Sequence, residues 1–117
     1  MKDVRDTNPG AATTREVLRK QFIARSLDEI DQMRRSVPQL IKGDAATWQE
    51  VRFGAQRMAA TAASLELGVL AACAHELAKL TDERFAGAKL DEHFLLSATS
   101  SIEMVAIELS ELARQIS

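Results

Sequence analysis

The sequence predicts an all-α fold, an antiparallel up-down four-helix bundle with a short extra N-terminal helix. Three observations lead to this prediction. Alanine, leucine, arginine and glutamate dominate a chain of 117 residues with only 5 Gly and 2 Pro, which favours helices over strands. Apolar residues recur every three or four positions along most of the chain. Short links join these amphipathic segments, so neighbouring helices are expected to reverse direction.

The chain is expected to be one domain with a polar start. Residues 1–12, which include Asn8-Pro9-Gly10, are predicted to be a flexible N-terminal lead-in. Residues 13–117 are predicted to form the helical domain, because a chain of this length buries a core without disulfides. Cys73 is the single cysteine, which excludes an intrachain disulfide framework, and we interpret it as a small buried apolar residue.

Two helices are predicted in the first third of the chain. Thr13 and Glu16 form one possible capping box, in which a hydroxyl and a carboxylate satisfy backbone donors. Ser26 and Glu29 form a second one, so we expect a short helix followed by a longer helix. Pro38 is expected to kink or restart the second helix, because its ring blocks the ordinary backbone hydrogen bond.

The next two helices follow a turn at Gly43-Asp44, where Gly43 can end one helix and Asp44 can cap the next. The apolar stripe of the first, its seam, has members three or four residues apart: Trp48, Val51, Ala55, Met58, Ala62 and Leu65. After an interruption at Gly68, a shorter helix continues the seam with Leu70, Cys73, Leu77 and Leu80. Residues 81–89 are predicted to be a connection, in which Arg84-Phe85 could add a turn.

The last helix has the most regular pattern in the chain. Its seam consists of Leu95, Ala98, Ile102, Val105, Leu109, Leu112 and Ile116. Met33, Met58 and Met104 are interpreted as packing residues. Arg15, Arg19, Lys20 and Arg25 are interpreted as a solvated basic cluster.

Composition also limits the partners that we expect. The net charge of −2 creates no overall basic field, so neither nucleic acid nor an anionic membrane is expected as a partner. No apolar run approaches the roughly 20 residues of a membrane span. The first dozen residues lack the apolar core of a secretory signal, and we therefore expect a cytoplasmic protein. A monomer is expected as well, although the sequence does not define the oligomeric state.

The most informative segment is a run of small residues on a helical repeat. It reads Gln56-Arg57-Met58-Ala59-Ala60-Thr61-Ala62-Ala63-Ser64-Leu65. It resembles the central helix of histidine-containing phosphotransfer (HPt) domains, whose signature is histidine, any residue, leucine, lysine, glycine, then small residues closing with leucine-glycine. Arg52-Phe53, the Gly43-Asp44 turn and residues 70–77 are similar to flanking segments of that family, so the resemblance covers about residues 20–115.

The resemblance implies a docking surface that has lost its phosphate chemistry. In HPt domains the histidine projects from the bundle and takes a phosphoryl group from an aspartate of a receiver domain. Gln56 stands at that position, and an amide cannot carry a phosphoryl group as an imidazole does. The lysine position is Ala59 and the glycine position is Ala60. Glu66 replaces the closing glycine, and we expect Gly68 to supply the turn instead.

The surface around Gln56 is predicted to bind a response-regulator receiver domain or a histidine kinase. Gln56 follows the seam residue Ala55 by one step, which turns it away from the core. The predicted partner-binding residues are Arg52, Phe53, Gln56, Arg57, Ala60, Ala63, Ser64 and Leu67. Phe53 is either an exposed interface anchor or a residue that packs against a neighbouring helix, and both interpretations stay open here.

Two other functions stay open. His75 is an alternative phosphoryl acceptor because a leucine follows it by two residues, although a solvent-facing histidine is the simpler interpretation. A helical interaction or dimerisation module unrelated to phosphorelays is the second alternative. His93, near a helix start, is interpreted as a surface or capping residue. We expect no enzyme activity, catalytic residue, cofactor or metal, since convergent polar groups are few and paired Glu-x-x-His motifs are absent.

Overall fold

Five α-helices make up almost all of the described chain. The computed structural model describes the backbone of residues 9–116 and the side chains of residues 14–116. The helices are α1 Pro9–Arg35, α2 Val37–Ile41, α3 Ala45–Ser64, α4 Gly68–Phe85 and α5 Glu92–Ile116. Residues 9–116 contain no strand, so the predicted all-α class is confirmed.

Helix α1 is continuous, and the prediction of two helices in its place is wrong. It begins at Pro9, so the last four residues of the predicted lead-in are helical, whereas residues 1–8 lie outside the described residues. Thr13 therefore does not start a helix, and its side chain is not among those described. Ser26 is 3% exposed within α1. A capping-box pattern does not interrupt a helix by itself, and no glycine or proline separates the two halves of α1.

The restart predicted at Pro38 is confirmed. Helix α1 ends at Arg35, and Ser36 precedes the short helix α2, whose first turn contains Pro38. The missing N–H of proline costs little there, because the first N–H groups of a helix have no intrahelical acceptor. The Ser36 hydroxyl donates a hydrogen bond of 2.8 Å to the carbonyl of Met33, which helps to close α1.

Three helices end in the same type of turn. In this turn, the Schellman motif, the second residue after the helix has a positive φ, and two backbone N–H groups bond back to the last helical turn. Gly43 holds this position after α2 with a φ of 79°, and Gly87 holds it after α4 with a φ of 109°. After α3 the position belongs to Glu66, with a φ of 61°. The expectation that Gly68 supplies this turn is wrong, because Gly68 is the first residue of α4.

The core contains the predicted seams of α3 and α5. On α3 the buried seam residues are Trp48, Val51, Ala55, Met58 and Ala62. On α5 they are Ala98, Ile102, Val105 and Leu109. The indole N–H of Trp48 donates a buried hydrogen bond of 3.0 Å to the carbonyl of Leu40 and thereby ties α3 to α2. Met33 and Met58 pack in the core as predicted, but Met104 is 55% exposed, because it precedes the seam residue Val105.

Helix α4 differs from its prediction in both length and seam. It continues to Phe85, so the connection to α5 begins later than predicted. Leu70 and Leu77 are buried as predicted, whereas Cys73 and Leu80 are only partly buried. Ala74 and Thr81 are fully buried in addition, since α4 packs against both α3 and α5. The Thr81 hydroxyl donates to the carbonyl of Ala78 at 2.6 Å, which allows this polar residue inside the core.

The helices pack side by side in a long molecule of 61 × 26 × 20 Å. Helix α3 lies along α4, α1 lies along α5, and α4 also lies along α5. Within the described part of the chain, no helix combines the length and the apolarity that crossing a membrane requires.

Candidate docking surface

The outer side of α3 carries most of the predicted partner-binding residues. Phe53, Gln56, Arg57, Ala60, Ala63 and Ser64 are exposed, and Arg52 and Leu67 are partly buried. Phe53 is 48% exposed, so it is not fully packed against a neighbouring helix, and its role as an interface anchor stays a prediction. Helix α3 therefore presents a ridge of exposed residues, and a depression lies on each flank of it.

The depression between α3 and α4 is floored by small side chains. We call it the alanine groove; its volume is about 630 Å³, and six of the residues that line it are Ala59, Ala60, Ala63, Ala71, Ala72 and Ala78. Its polar residues are Gln56 on α3 and His75, Lys79 and Asp82 on α4. Because alanine has no side chain beyond Cβ, another protein segment can approach both helix backbones closely here.

Gln56 and His75 line this one groove. The sequence predicts Gln56 at the position of the family's histidine and His75 as an alternative acceptor, and the packing of α3 on α4 brings the two together. His75 is exposed, as its position beside the seam predicts. Lys79 follows it by one helical turn, so both side chains project from the same side of α4. His93 is also exposed, and the cap of α5 is instead Asp91, which accepts a hydrogen bond of 2.8 Å from the N–H of Phe94.

Arg52 contributes to the contact between α3 and α4. Its Nε lies 2.8 Å from Oδ1 of Asp82, and its guanidinium carbon lies 5.2 Å from the centre of the Phe85 ring. The Nε hydrogen is not aligned with the carboxylate, so this contact is an ion pair and not a linear hydrogen bond. The cation on the ring and the carboxylate beside it hold Arg52 in place. Arg52 is therefore already paired within the protein before any partner binds.

The depression between α1 and α3 has a different chemistry. We call it the Phe53 cleft; its volume is about 360 Å³, and Glu29, Gln32, Met33, Ser36, Glu50, Val51, Phe53 and Arg57 line it. Gly54 lies below it: a Cβ at this position would stand 2.8 Å from Cε of Met33 and 3.0 Å from Oε2 of Glu29. A guanidinium nitrogen of Arg57 lies 2.6 Å from Oε2 of Glu29.

The turn after α3 is held by α1. A guanidinium nitrogen of Arg15 lies 3.2 Å from Oε1 of Glu66, and one of Arg19 lies 3.7 Å from the same oxygen. The Nε of Arg19 also donates a hydrogen bond of 3.0 Å to the carbonyl of Leu65. Two members of the predicted solvated basic cluster thus contact the end of the docking surface. The sequence does not predict this contact, because local patterns carry no information about pairs of residues that are far apart in the chain.

Groups with a shifted pKa lie outside the two depressions. Burial raises the pKa of the Cys73 thiol, and the charge of Glu108 adds to this, which favours the unreactive thiol over the thiolate. Hydrogen bonds from the hydroxyl and the backbone N–H of Thr47 lower the pKa of Asp44, the cap of α3. Among the described residues, no group of three histidine, cysteine or acidic side chains could hold a metal ion.

The outer side of α3 is therefore a ridge with an exposed aromatic side chain, between a groove of small residues and a cleft lined by both apolar and charged residues. Of the segment that carries the resemblance, Gln56, Ala59, Ala60 and Ala63 line the alanine groove, whereas Met58 and Ala62 lie in the core. Comparison with protein-family models, with curated proteins and with solved structures found no match for this chain.

Proposed function

We propose that this protein is a non-phosphorylatable HPt-like protein of a two-component phosphorelay, and that it binds a receiver domain or a histidine kinase through α3. The observation that carries the proposal is the alanine groove, with Gln56 at its edge. A phosphotransfer protein needs an imidazole at this place, whereas a protein that only docks needs a surface that a partner helix can approach. The alanine groove is a surface of this second kind, because its small side chains let a partner helix come close.

Contacts between the helices support an antiparallel up-down four-helix bundle as the scaffold of this function. Arg19 on α1 reaches Leu65 at the end of α3, and Glu29 on α1 pairs with Arg57 nearer the start of α3. Residue numbers thus rise along α1 while they fall along α3, as in antiparallel neighbours. A cytoplasmic monomer that occupies a receiver in this way would compete with true phosphotransfer proteins.

Calorimetric titration of the purified protein against the receiver domains of its own organism tests the proposal. We expect binding to at least one receiver, and a loss of at least about tenfold in affinity for Ala60→Arg, because the new side chain stands in the groove. Ala24→Arg is the matched control, since Ala24 is an exposed alanine on α1. The proposal is wrong if neither a receiver nor a histidine kinase, titrated in the same way, binds the protein, or if the two variants lose affinity equally.

Phosphotransfer through His75 is the second candidate function. The observation that favours it is the position of His75 in the same groove, one turn before Lys79. A receiver docked there would bring its aspartyl phosphate near an imidazole and a cation. The phosphoryl group would move from the aspartate oxygen to a ring nitrogen. Incubation with a phosphorylated receiver should then label the protein in an acid-labile form. If the label is lost in His75→Ala but not in His93→Ala, the protein is a phosphotransfer protein that uses His75, and the proposal that it only docks is wrong.

A dimerisation module stays a further prediction, because α5 exposes large apolar side chains. Leu96, Met104 and Ile107 are each more than half exposed. Sedimentation equilibrium distinguishes this function from the monomer that we propose. A stable dimer that Ile107→Lys dissociates would support it.

A further inference from the structure

The Phe53 cleft has a chemistry that docking through the alanine groove does not use. We propose that this cleft binds the side chain of an arginine that belongs to a basic segment of a partner protein. The inference goes beyond the proposed function and does not depend on it, because the alanine groove lies on the other flank of α3.

The first observation is an exposed ring beside a free carboxylate. Phe53 is 48% exposed, although it lies in the middle of a well-packed helix. Glu50 lines the same cleft, is exposed, and has no hydrogen bond or ion pair with any described residue. The face of a phenyl ring attracts a cation, and the carboxylate adds a full negative charge nearby.

The second observation is that this cleft already accepts a guanidinium group. Glu29 is only partly exposed, and its Oε2 lies 2.6 Å from a guanidinium nitrogen of Arg57. Gly54 leaves the space that the Glu29 carboxylate and the end of Met33 occupy. Met33 and Val51 are buried and form an apolar wall. Such a wall suits the carbon stem of a long cationic side chain.

The third observation is that a complete group of an aromatic ring, a carboxylate and a guanidinium lies on the other flank of α3. There the guanidinium carbon of Arg52 lies 5.2 Å from the centre of the Phe85 ring, and its Nε lies 2.8 Å from Asp82. In the Phe53 cleft the ring and the carboxylates are present. No cation of the described residues stacks on Phe53. No described residue supplies the missing cation, and a partner protein is the source that we propose for it.

Size and charge favour one arginine as the occupant. A volume of about 360 Å³ suits a side chain better than a helix. Glu29 and Glu50 carry two negative charges against the single positive charge of Arg57, so the cleft keeps a net negative charge. A guanidinium group is flat and has several donors in a fork, which allows it to stack on the ring and to bond a carboxylate at the same time. The ammonium group of lysine is a point charge and lacks the flat surface.

The test uses the full chain and the peptide acetyl-Gly-Arg-Gly-amide, followed by ¹H–¹⁵N NMR titration. The matched control peptide carries citrulline, which has the shape of arginine without its charge. We expect saturable shifts at residues of the cleft, and binding of the citrulline peptide weakened by at least about fivefold. Phe53→Leu and Glu50→Gln should each weaken binding of the arginine peptide by about threefold. Glu76→Gln, a charge change at an exposed and unpaired glutamate on α4, should leave it unchanged.

Arg57 provides a second, opposite test. It competes for Glu29, so Arg57→Ala should strengthen binding of the arginine peptide, whereas Lys79→Ala removes a charge elsewhere and should not. The proposal is overturned if arginine and citrulline peptides shift the same resonances with equal affinity, if no shifts occur, or if Glu50→Gln and Glu76→Gln behave alike. Ala60→Arg should retain arginine binding, which separates a failure of this inference from a failure of receiver docking.

Discussion

The turn that closes α3 and the turn that closes α2 follow the same backbone path with different residues. Gly43 has a φ of 79°, and Glu66 has a φ of 61°. In both turns the same pair of backbone hydrogen bonds caps the helix; after α3 they are Glu66 N–H to Ala63 and Leu67 N–H to Ala62. The left-handed conformation costs a residue with a Cβ atom about 1–2 kcal/mol, and glycine avoids this cost.

The difference shows how tertiary contacts replace a missing turn residue. Glu66 stands where the HPt pattern has glycine, yet the helix ends there and α4 starts two residues later. Arg15 and Arg19 of α1 contact its carboxylate, and Arg19 also caps the carbonyl of Leu65. No such contact is needed at Gly43. The turn that holds α3 against α4, and with it the alanine groove, thus persists without glycine.

The largest effect is expected at the glycine turn. Gly43→Ala should lower the free energy of unfolding by about 2 kcal/mol, because it adds left-handed strain and an overpacked contact. Its Cβ would stand 2.9 Å from Cδ1 of Leu90. Urea denaturation followed by circular dichroism measures this. Gly68→Ala is the control, since a Cβ there meets nothing within 4 Å and the backbone is helical. Equal losses in both variants would contradict the assigned role of Gly43.

A smaller loss is expected from the contacts that hold the glutamate turn. Arg19→Ala should lower the free energy of unfolding by about 1 kcal/mol, because the carbonyl of Leu65 loses its partly buried donor. The same urea denaturation applies. Arg25→Ala should change it little, because Arg25 is exposed and unpaired in the same helix. If the two variants were equally stable, the contact between α1 and the turn would contribute nothing.

Replacing the glutamate should have a still smaller effect, of opposite sign. Glu66→Gly should raise the free energy of unfolding by about 0.5 kcal/mol, since relief of the left-handed strain exceeds the loss of exposed ion pairs. Glu83→Gly makes the same chemical change inside α4 and should lower it by about 1 kcal/mol. Thermal unfolding of the two variants measures whether each change raises or lowers the stability of the protein. A destabilised Glu66→Gly protein would mean that the ion pairs outweigh the strain.

The smallest effect concerns the caps that follow the two turns. Asp44 caps α3, whereas Leu67, before α4, provides no side-chain cap. Hydrogen bonds from Thr47 lower the pKa of Asp44 in the folded protein below its ordinary value of 3.8. The contribution of this carboxylate is therefore complete above pH 3.8 and is lost as the pH falls through the lower folded pKa. Asp44→Asn should flatten this part of the stability profile, measured by urea denaturation at each pH. An unchanged profile would contradict the role of the charge.

Periodicity was sufficient to predict the seams of α3 and α5, and Gly43-Asp44 was sufficient to predict the turn between α2 and α3. Other predictions failed where a local pattern fits two structures. Ser26-to-Glu29 has the form of a capping box but is equally compatible with the interior of a helix, where Ser26 lies. Thr81 is polar and was assigned to a connection, yet its hydroxyl bonds to its own helix and the residue is buried.

The candidate site was predicted in part. The exposure of Gln56, Arg57, Ala60 and Ser64 follows from their offset from the seam. The shared groove of Gln56 and His75 does not follow from the sequence, because it depends on which side of α4 meets α3. The engagement of Arg52 by Asp82 and Phe85 depends on the same packing.

The all-α class, the positions of α3 and α5 and their core-facing seams follow from the sequence, because these depend on contacts within a few residues. The turn at Glu66 and the different chemistry of the two flanks of α3 follow only from the packed molecule. Both features depend on pairs of residues that are far apart in the chain. Their side chains meet only after the helices pack, and the packing then outweighs the local preference for glycine at the turn.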